Sequence, residues 1–279
     1  MGGPNSNRQR LTRTTANGST ISYTYDLLNR LTQVSYPGSG GNVTYSYDSS
    51  GNLASNGAGW TCSCDYENRL ASVAHNGVVI QRNYYDGDGK RVEQTAGGNS
   101  YVYSYQGVNV LYQKNLTSGV ATKSFHAGDI QVAQMVGETT YYLHQDALGS
   151  TVLTMGPSLA VSFDSQYIPY GMNYAMTGEE AFQYTGKLLD EATGLYYEGA
   201  RYYDPTTGRF ITEDSVVGKT DDPQSLNRYV YARVNPMKIV DMNGYEWWDS
   251  VANLVSAAVG DVAGAATNVA NAAHAASNV

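Results

Sequence analysis

Along much of the chain, large and mostly aromatic residues alternate with small polar ones. Tyr23-Thr24-Tyr25, Tyr45-Ser46-Tyr47, Cys62-Ser63-Cys64 and Tyr101-Val102-Tyr103-Ser104-Tyr105 share this pattern, and it persists in Thr139-Thr140-Tyr141-Tyr142-Leu143. Side chains two residues apart stand on one face of a strand, so these runs predict β-strands with a packed face. Gly107, Gly119, Gly128 and Gly137 punctuate the later runs as hairpin turns would. The last stretch has a different period. Val251, Leu254, Val255, Ala258, Val259 and Val262 fall at helical spacing and predict a short C-terminal α-helix, docked on the core or on a partner. Gly260, Asp261 and several asparagines make that helix a poor transmembrane span.

The strand runs belong to a repeat. Tyr23-Thr24-Tyr25-Asp26-Leu27-Leu28-Asn29-Arg30-Leu31 is followed by Tyr45-Ser46-Tyr47-Asp48-Ser49-Ser50-Gly51-Asn52-Leu53. Cys62-Ser63-Cys64-Asp65-Tyr66-Glu67-Asn68-Arg69-Leu70 and Tyr84-Tyr85-Asp86-Gly87-Asp88-Gly89-Lys90-Arg91-Val92 complete the set. In each unit an aspartate followed by Gly or Asn sets a tight turn, its carboxylate able to accept nearby backbone N–H groups. The residues after the turn start the returning strand. One such hairpin is too small to stand alone and must stack on its neighbours. The expected fold is therefore all-β: stacked hairpins forming one curved or spiralling sheet, with a short helix at the end.

Composition sharpens this picture. There are 25 Tyr against 4 Phe, and 30 Gly. Tyrosine suits a half-buried sheet position because its ring packs while its hydroxyl finds a partner. The net charge of −8 and the absence of a basic cluster exclude nucleic acid as an expected partner. Met1-Gly2-Gly3-Pro4-Asn5 lacks the apolar run of a signal peptide. No metal or nucleotide motif appears, so no cofactor is expected. Cys62 and Cys64, at strand spacing, would face the same way, a strained geometry for a disulfide. They stand where other units carry Tyr and are expected to pack in the sheet, a redox pair or a shared site being the alternatives.

The repeat resembles the YD repeat, Tyr-x-Tyr-Asp-x-x-Gly-Arg-Leu, of the RHS family. The resemblance becomes more specific downstream. Tyr141-Tyr142-Leu143-His144-Gln145-Asp146-Ala147-Leu148-Gly149-Ser150, Tyr167-Ile168-Pro169-Tyr170-Gly171, Tyr184-Thr185-Gly186-Lys187, Asp190-Glu191-Ala192-Thr193-Gly194-Leu195-Tyr196-Tyr197 and Ala200-Arg201-Tyr202-Tyr203-Asp204-Pro205 through Phe210 follow in the order of that family's core-associated region. On this basis the chain divides into a lead-in at 1–16, a repeat sheet at 17–140, a core module at 141–245 and a variable tail at 246–279. In that family the hairpins join into a sheet that spirals into a hollow shell, and this chain is long enough for part of a wall. His144, Asp146 and Ser150 read as strand-to-turn hydrogen bonding rather than a hydrolase triad, since nothing suggests a nucleophile elbow or an oxyanion hole. Arg201 reads as a structural ion pair with Asp204 or an arginine stacked on rings.

The resemblance also implies a candidate site. Many members carry two Asp-Pro-x-Gly motifs that support release of the segment beyond the second, and Asp214 and Asp241 match the two aspartates. Gly244 is kept, whereas Ser215 and Met242 replace the prolines, so an active pair and a purely structural one both stay open. The expected chemistry is two close carboxylates sharing a proton, one serving as base on water and the other as acid, with Arg201 in possible support. The bond nominated is Tyr245–Glu246. Three function classes follow: a shell or display scaffold with its own C-terminal segment as cargo, a single-turnover aspartyl autoprotease, and an extracellular adhesion or glycan-binding module. Inward-facing aromatics favour the first and exposed ones the last. The resemblance implies a secreted or cell-surface setting, and bare sheet edges imply possible self-association.

Overall fold

The computed structural model describes residues 10–245 apart from positions 16, 129 and 217, with backbone alone at Ser39 and at the strand Trp247–Asp249. The repeats build two antiparallel sheets in strict chain order. One has four strands, from Thr12–Thr14 to Asn42–Thr44, and the other fourteen, from Ser46–Tyr47 to Asn173–Gly178. Residues 42–47 join them: Asn42–Thr44 pairs back onto Leu31–Ser35, and Ser46–Tyr47 pairs forward onto Leu53–Ser55. The expected curved sheet of stacked hairpins is thus present.

Each repeat turn has one construction. A single carboxylate oxygen of Asp26 accepts the N–H of Leu28 and of Arg30, both at 2.9 Å. Asp48, Asp65 and Asp86 repeat the arrangement with the residues two and four further on. The other carboxylate oxygen takes the following side chain: Arg30 at 2.6 Å, Asn52 at 3.0 Å and Arg69 at 2.7 Å. Asp146 makes a fifth turn of this kind, accepting Leu148 and Ser150 N–H at 2.8 and 2.9 Å. The sheet accordingly runs through Tyr141 without a break, and the change to other architecture comes after Gly178.

The tyrosines have a matching role. Tyr25, Tyr105 and Tyr167 each donate a hydroxyl hydrogen bond of 2.7 Å, to the carbonyls of Arg10, Arg91 and Thr151, and Tyr85 donates to Leu70 at 2.8 Å. The last three of these carbonyls belong to residues that open a returning strand, so the phenol ties one hairpin to the one before. Phenylalanine cannot make that bond, which accounts for the excess of Tyr. Arg30, Arg69 and Lys90 also lie over Tyr47, Tyr85 and Tyr105 of the next unit.

The inner face of the sheet begins apolar, with Leu31, Val34, Leu70 and Val73 buried, and continues polar through Gln81, Asn83, Gln94, Gln131, Gln134 and Thr154. Residues 179–245 lie on this face. They form a small sheet from Leu188–Asp190 through Leu195–Tyr197 and Tyr202–Asp204 to Arg209–Phe210. Its aromatic centre joins Tyr184, Tyr196, Tyr203, Phe210 and Tyr231, with Tyr203 and Tyr231 ring centroids 4.2 Å apart. Tyr197, Tyr202 and Ile211 pack onto Leu70 and Val73, and Phe182 and Leu188 onto Tyr103 and Val110.

The sheet curls far enough for its ends to meet around this segment. The Arg10 guanidinium lies 3.5 Å from the Tyr170 ring centroid, and Arg13 reaches the Met172 sulfur at 3.1 Å. The segment is fastened at one point by charge. Arg91, standing where earlier units put Leu31 and Leu70, is fully buried and meets Asp190 at 2.5 Å. Burial alone would pull the Arg91 guanidinium down, but Asp190 overrides it and the net movement is well upward. The expected C-terminal helix lies outside the described residues, and Trp247–Asp249, where backbone is described, is a strand paired with Ile239–Asp241. Among the described residues no helix is long and apolar enough to cross a membrane.

Candidate functional site

Arg201 sits in the reversal between the strands Leu195–Tyr197 and Tyr202–Asp204, Asp214 lies just beyond Arg209–Phe210, and Asp241 ends Ile239–Asp241. Sheet pairing sets Arg201 beside the strand that leads to Asp214, and Asp241 comes from a separate two-stranded sheet that packs against them. The Arg201 guanidinium is buried and lies 3.6 Å from the Phe210 ring centroid. One terminal nitrogen, Nη2, reaches Asp214 Oδ2 at 2.8 Å and Asp241 Oδ2 at 3.5 Å. Nη1 donates to the Arg228 carbonyl at 3.0 Å, and Nε donates to the Gly244 carbonyl. Arg201 therefore pairs with both motif aspartates and not with Asp204, whose carboxylate instead caps Thr206 and Thr207. The ring it stacks on is Phe210.

Residues 241–245 are held closely against this arginine. Asp241 Oδ1 accepts the Gly244 N–H at 2.7 Å and the Asn243 N–H at 3.3 Å, closing a tight turn. Three successive carbonyls then receive donors from the 187–201 region: Met242 from the Lys187 ammonium at 2.5 Å, Asn243 from the Ala200 N–H at 3.0 Å, and Gly244 from Arg201. Gly244 is required here. Its φ is +80°, and a Cβ would come within 3.0 Å of the Arg201 backbone nitrogen.

The electrostatics are governed by burial. Burial raises the carboxyl groups of Asp214 and Asp241 above the ordinary range, outweighing the attraction of Arg201 for each. Burial likewise lowers the Arg201 guanidinium despite its two aspartates. A third acid, Glu198, is fully buried in the same cluster, and burial pushes it up to about 8 against the pull of Lys187. Both aspartates thus reach one nitrogen of the same guanidinium, which draws the two carboxyl groups to a common point. Sequence reading missed Glu198 and Lys187. The available signal was an acid lodged between the aromatic pair Tyr196-Tyr197 and Gly199, with no polar neighbour in sequence to receive it.

The remaining candidates have structural surroundings. Ser150 is buried, and its hydroxyl accepts the Thr185 N–H at 3.1 Å, while Asp146 serves its turn. Cys62 and Cys64 are free thiols, half-buried along one strand, and burial pushes each up to about 12. Tyr245 is 43% exposed, and Glu246 lies outside the described residues.

Comparison with known proteins places this geometry among relatives. The family model described as RHS Repeat matches residues 8–40. The tRNA3(Ser)-specific nuclease WapA of Bacillus spizizenii is 33% identical over 258 residues, covering 87% of this chain and 10% of that protein. Teneurin-3 of Mus musculus is 28% identical over 240 residues, covering 79% of this chain and 8% of that protein. The chain thus spans about a tenth of the length of the curated relatives it matches. Among solved structures, the crystal structure of TcdB2-TccC3-Cdc42 aligns with a TM-score of 0.60 at 22% identity, over 92% of this chain and 15% of that one.

Proposed function

The chain belongs to the RHS family of YD-repeat proteins, and from that premise we propose that it is a wall segment of a β-sheet shell that encloses or displays a variable C-terminal segment. The observation that carries this reading is the curl of the sheet around residues 179–245. Among the described residues the hairpins pair with their sequence neighbours, and a turn near each end of the repeat array touches the same enclosed segment, through Arg209 on the Asn29 carbonyl and Tyr203 on the Tyr170 carbonyl. The polar residues of the inner face hold the enclosed segment by hydrogen bonds, Gln81 to Asp190 and Gln134 and Thr154 to Glu180. The repeat tyrosines Tyr23, Tyr47, Tyr85, Tyr103 and Tyr105 are buried or half-buried, which favours a wall over an aromatic glycan-binding surface. Relatives named as toxin subunits of Yersinia entomophaga, 36% and 31% identical over part of the chain, support a secreted setting. Limited proteolysis of the full chain, with residues 246–279 as its variable segment, tests the proposal. Its variable segment should be digested far more slowly when the repeats are intact than when they are unfolded, and equal rates would refute enclosure.

A second reading, single-turnover self-cleavage after Tyr245, is favoured by one specific observation: Asp214, Asp241 and the strand leading to Tyr245 converge on Arg201. In this reading one aspartate takes a proton from water as the oxygen adds to the Tyr245 carbonyl carbon. The C–N bond then breaks as the amine gains a proton, leaving a carboxylic acid and an amine. Arg201 reaches the carbonyl one peptide earlier, so it fixes the approach of the strand. Intact mass measurement after expression should find a product ending at Tyr245 in wild type and the full chain in Asp214→Asn and Asp241→Asn. A wild-type chain intact through Val279 would end this reading.

A further inference from the structure

Glu198 is fully buried, and neither of its carboxyl oxygens has a hydrogen-bond partner. The Lys187 ammonium, its nearest cation, is 4.0 Å away and is committed to the Met242 carbonyl at 2.5 Å. An ionised carboxylate in such surroundings would be left without a protein donor, at a large cost in burial. The charges around it balance without it, since Lys187 and Arg201 offset Asp214 and Asp241. We infer that Glu198 is a positioning residue of the site: held neutral, it leaves the Lys187 ammonium to Met242 and so fixes residues 242–244 beside Arg201. This deepens the self-cleavage reading, although the clasp itself is measurable whether or not the bond is cut.

The groups facing Glu198 come from several elements. Lys187 precedes the strand Leu188–Asp190, Arg201 lies in its own hairpin, and Asp241 ends Ile239–Asp241. His126, from Ala121–Ala127, lines with Tyr105 and Tyr197 a cavity of about 30 Å3 against Glu198. Tyr184, Tyr203 and Tyr231 stand in the core behind, and burial raises all three phenols. With the clasp closed, burial pushes Glu198 up to about 8; opened to water, it returns toward the ordinary value of 4.5. Opening is therefore favoured increasingly as pH rises between those two values and no further above the upper one. Asp241, whose carboxyl burial also raises, acts in the same sense: its protonation favours the closed arrangement as pH falls.

Hydrogen exchange at the Ala200 and Gly244 amides, corrected for intrinsic rates, tests this on the full chain. Wild-type protection should fall by about tenfold per pH unit through the upper part of the range from about 5 to 8 and then level off. Glu198→Gln should abolish that slope, His126→Gln should keep it, and Lys187→Met should give low protection at every pH. A slope that survives Glu198→Gln, or protection in wild type that ignores pH, overturns the inference. If no product ending at Tyr245 forms while the slope is present and vanishes in Glu198→Gln, self-cleavage fails and the positioning role stands. If product forms with the same pH dependence in both proteins, the positioning role fails and self-cleavage stands.

Discussion

The Arg91–Asp190 pair gives the sharpest test of how the inner segment is fastened to the sheet. Arg91 and Asp190 have side-chain exposures of 0% and 2%, and their charged atoms are 2.5 Å apart. At an effective dielectric of about 20, two unit charges at that distance attract by about 7 kcal/mol, much of which offsets the loss of hydration. The measurable quantity is the cost of breaking the pair, about 3–5 kcal/mol for one partner removed from a buried bridge. Asp190→Asn should fall at the upper end, because Arg91 keeps only the Tyr202 hydroxyl at 2.7 Å and the Tyr103 and Tyr197 rings. Arg91→Leu should cost less, since Asp190 retains the Gln81 amide at 2.6 Å and leucine restores what Leu31 and Leu70 do in earlier units. In the double variant no charge is left unpaired, so its loss should be smaller than the sum of the singles by about 2 kcal/mol or more. Urea unfolding followed by circular dichroism would measure this, with each single variant also lowering Tm by about 10 °C on the scaling for a chain of this size. Additivity within about 0.5 kcal/mol would refute the assignment of the pair as a coupled fastening.

Other predictions concern single features. Tyr105→Phe removes the 2.7 Å bond to the Arg91 carbonyl and should cost about 1 kcal/mol in urea unfolding, with the ring packing unchanged. Gly244→Ala forces a side chain into a left-handed backbone against Arg201 and should cost about 2 kcal/mol or more, read as a lowered Tm. Cys62 and Cys64, pushed up to about 12, should react with iodoacetamide at pH 8 at least ~1000-fold more slowly than free cysteine, and labelling at the free-cysteine rate would count against their burial.

The hairpin repeat was legible in the sequence because everything that defines it is local. The Asp26, Asp48, Asp65 and Asp86 turns close through hydrogen bonds spanning two and four residues, and the strand faces follow from alternation. Asp146 read as a turn hydrogen-bonder but not as a fifth unit of the repeat, because Gln145 stands where the other units carry Tyr or Cys. The pair of site aspartates was also legible, but only through resemblance to a family motif. Their relation to Arg201 was not, since Arg201 lies 13 residues from Asp214 and 40 from Asp241 and meets both only when the small sheet and the strand Ile239–Asp241 pack together.

Sequence alone determined that these hairpins form and in what order they pair, since turn chemistry and side-chain alternation act over a few residues. The tertiary structure decided what the curl of the sheet brings together. Arg91 finds Asp190 across 99 residues, and Glu198 is left without donors beside Lys187. Those outcomes depend on the accumulated twist of many strands and on how much water the closing wall excludes, quantities that no local pattern carries.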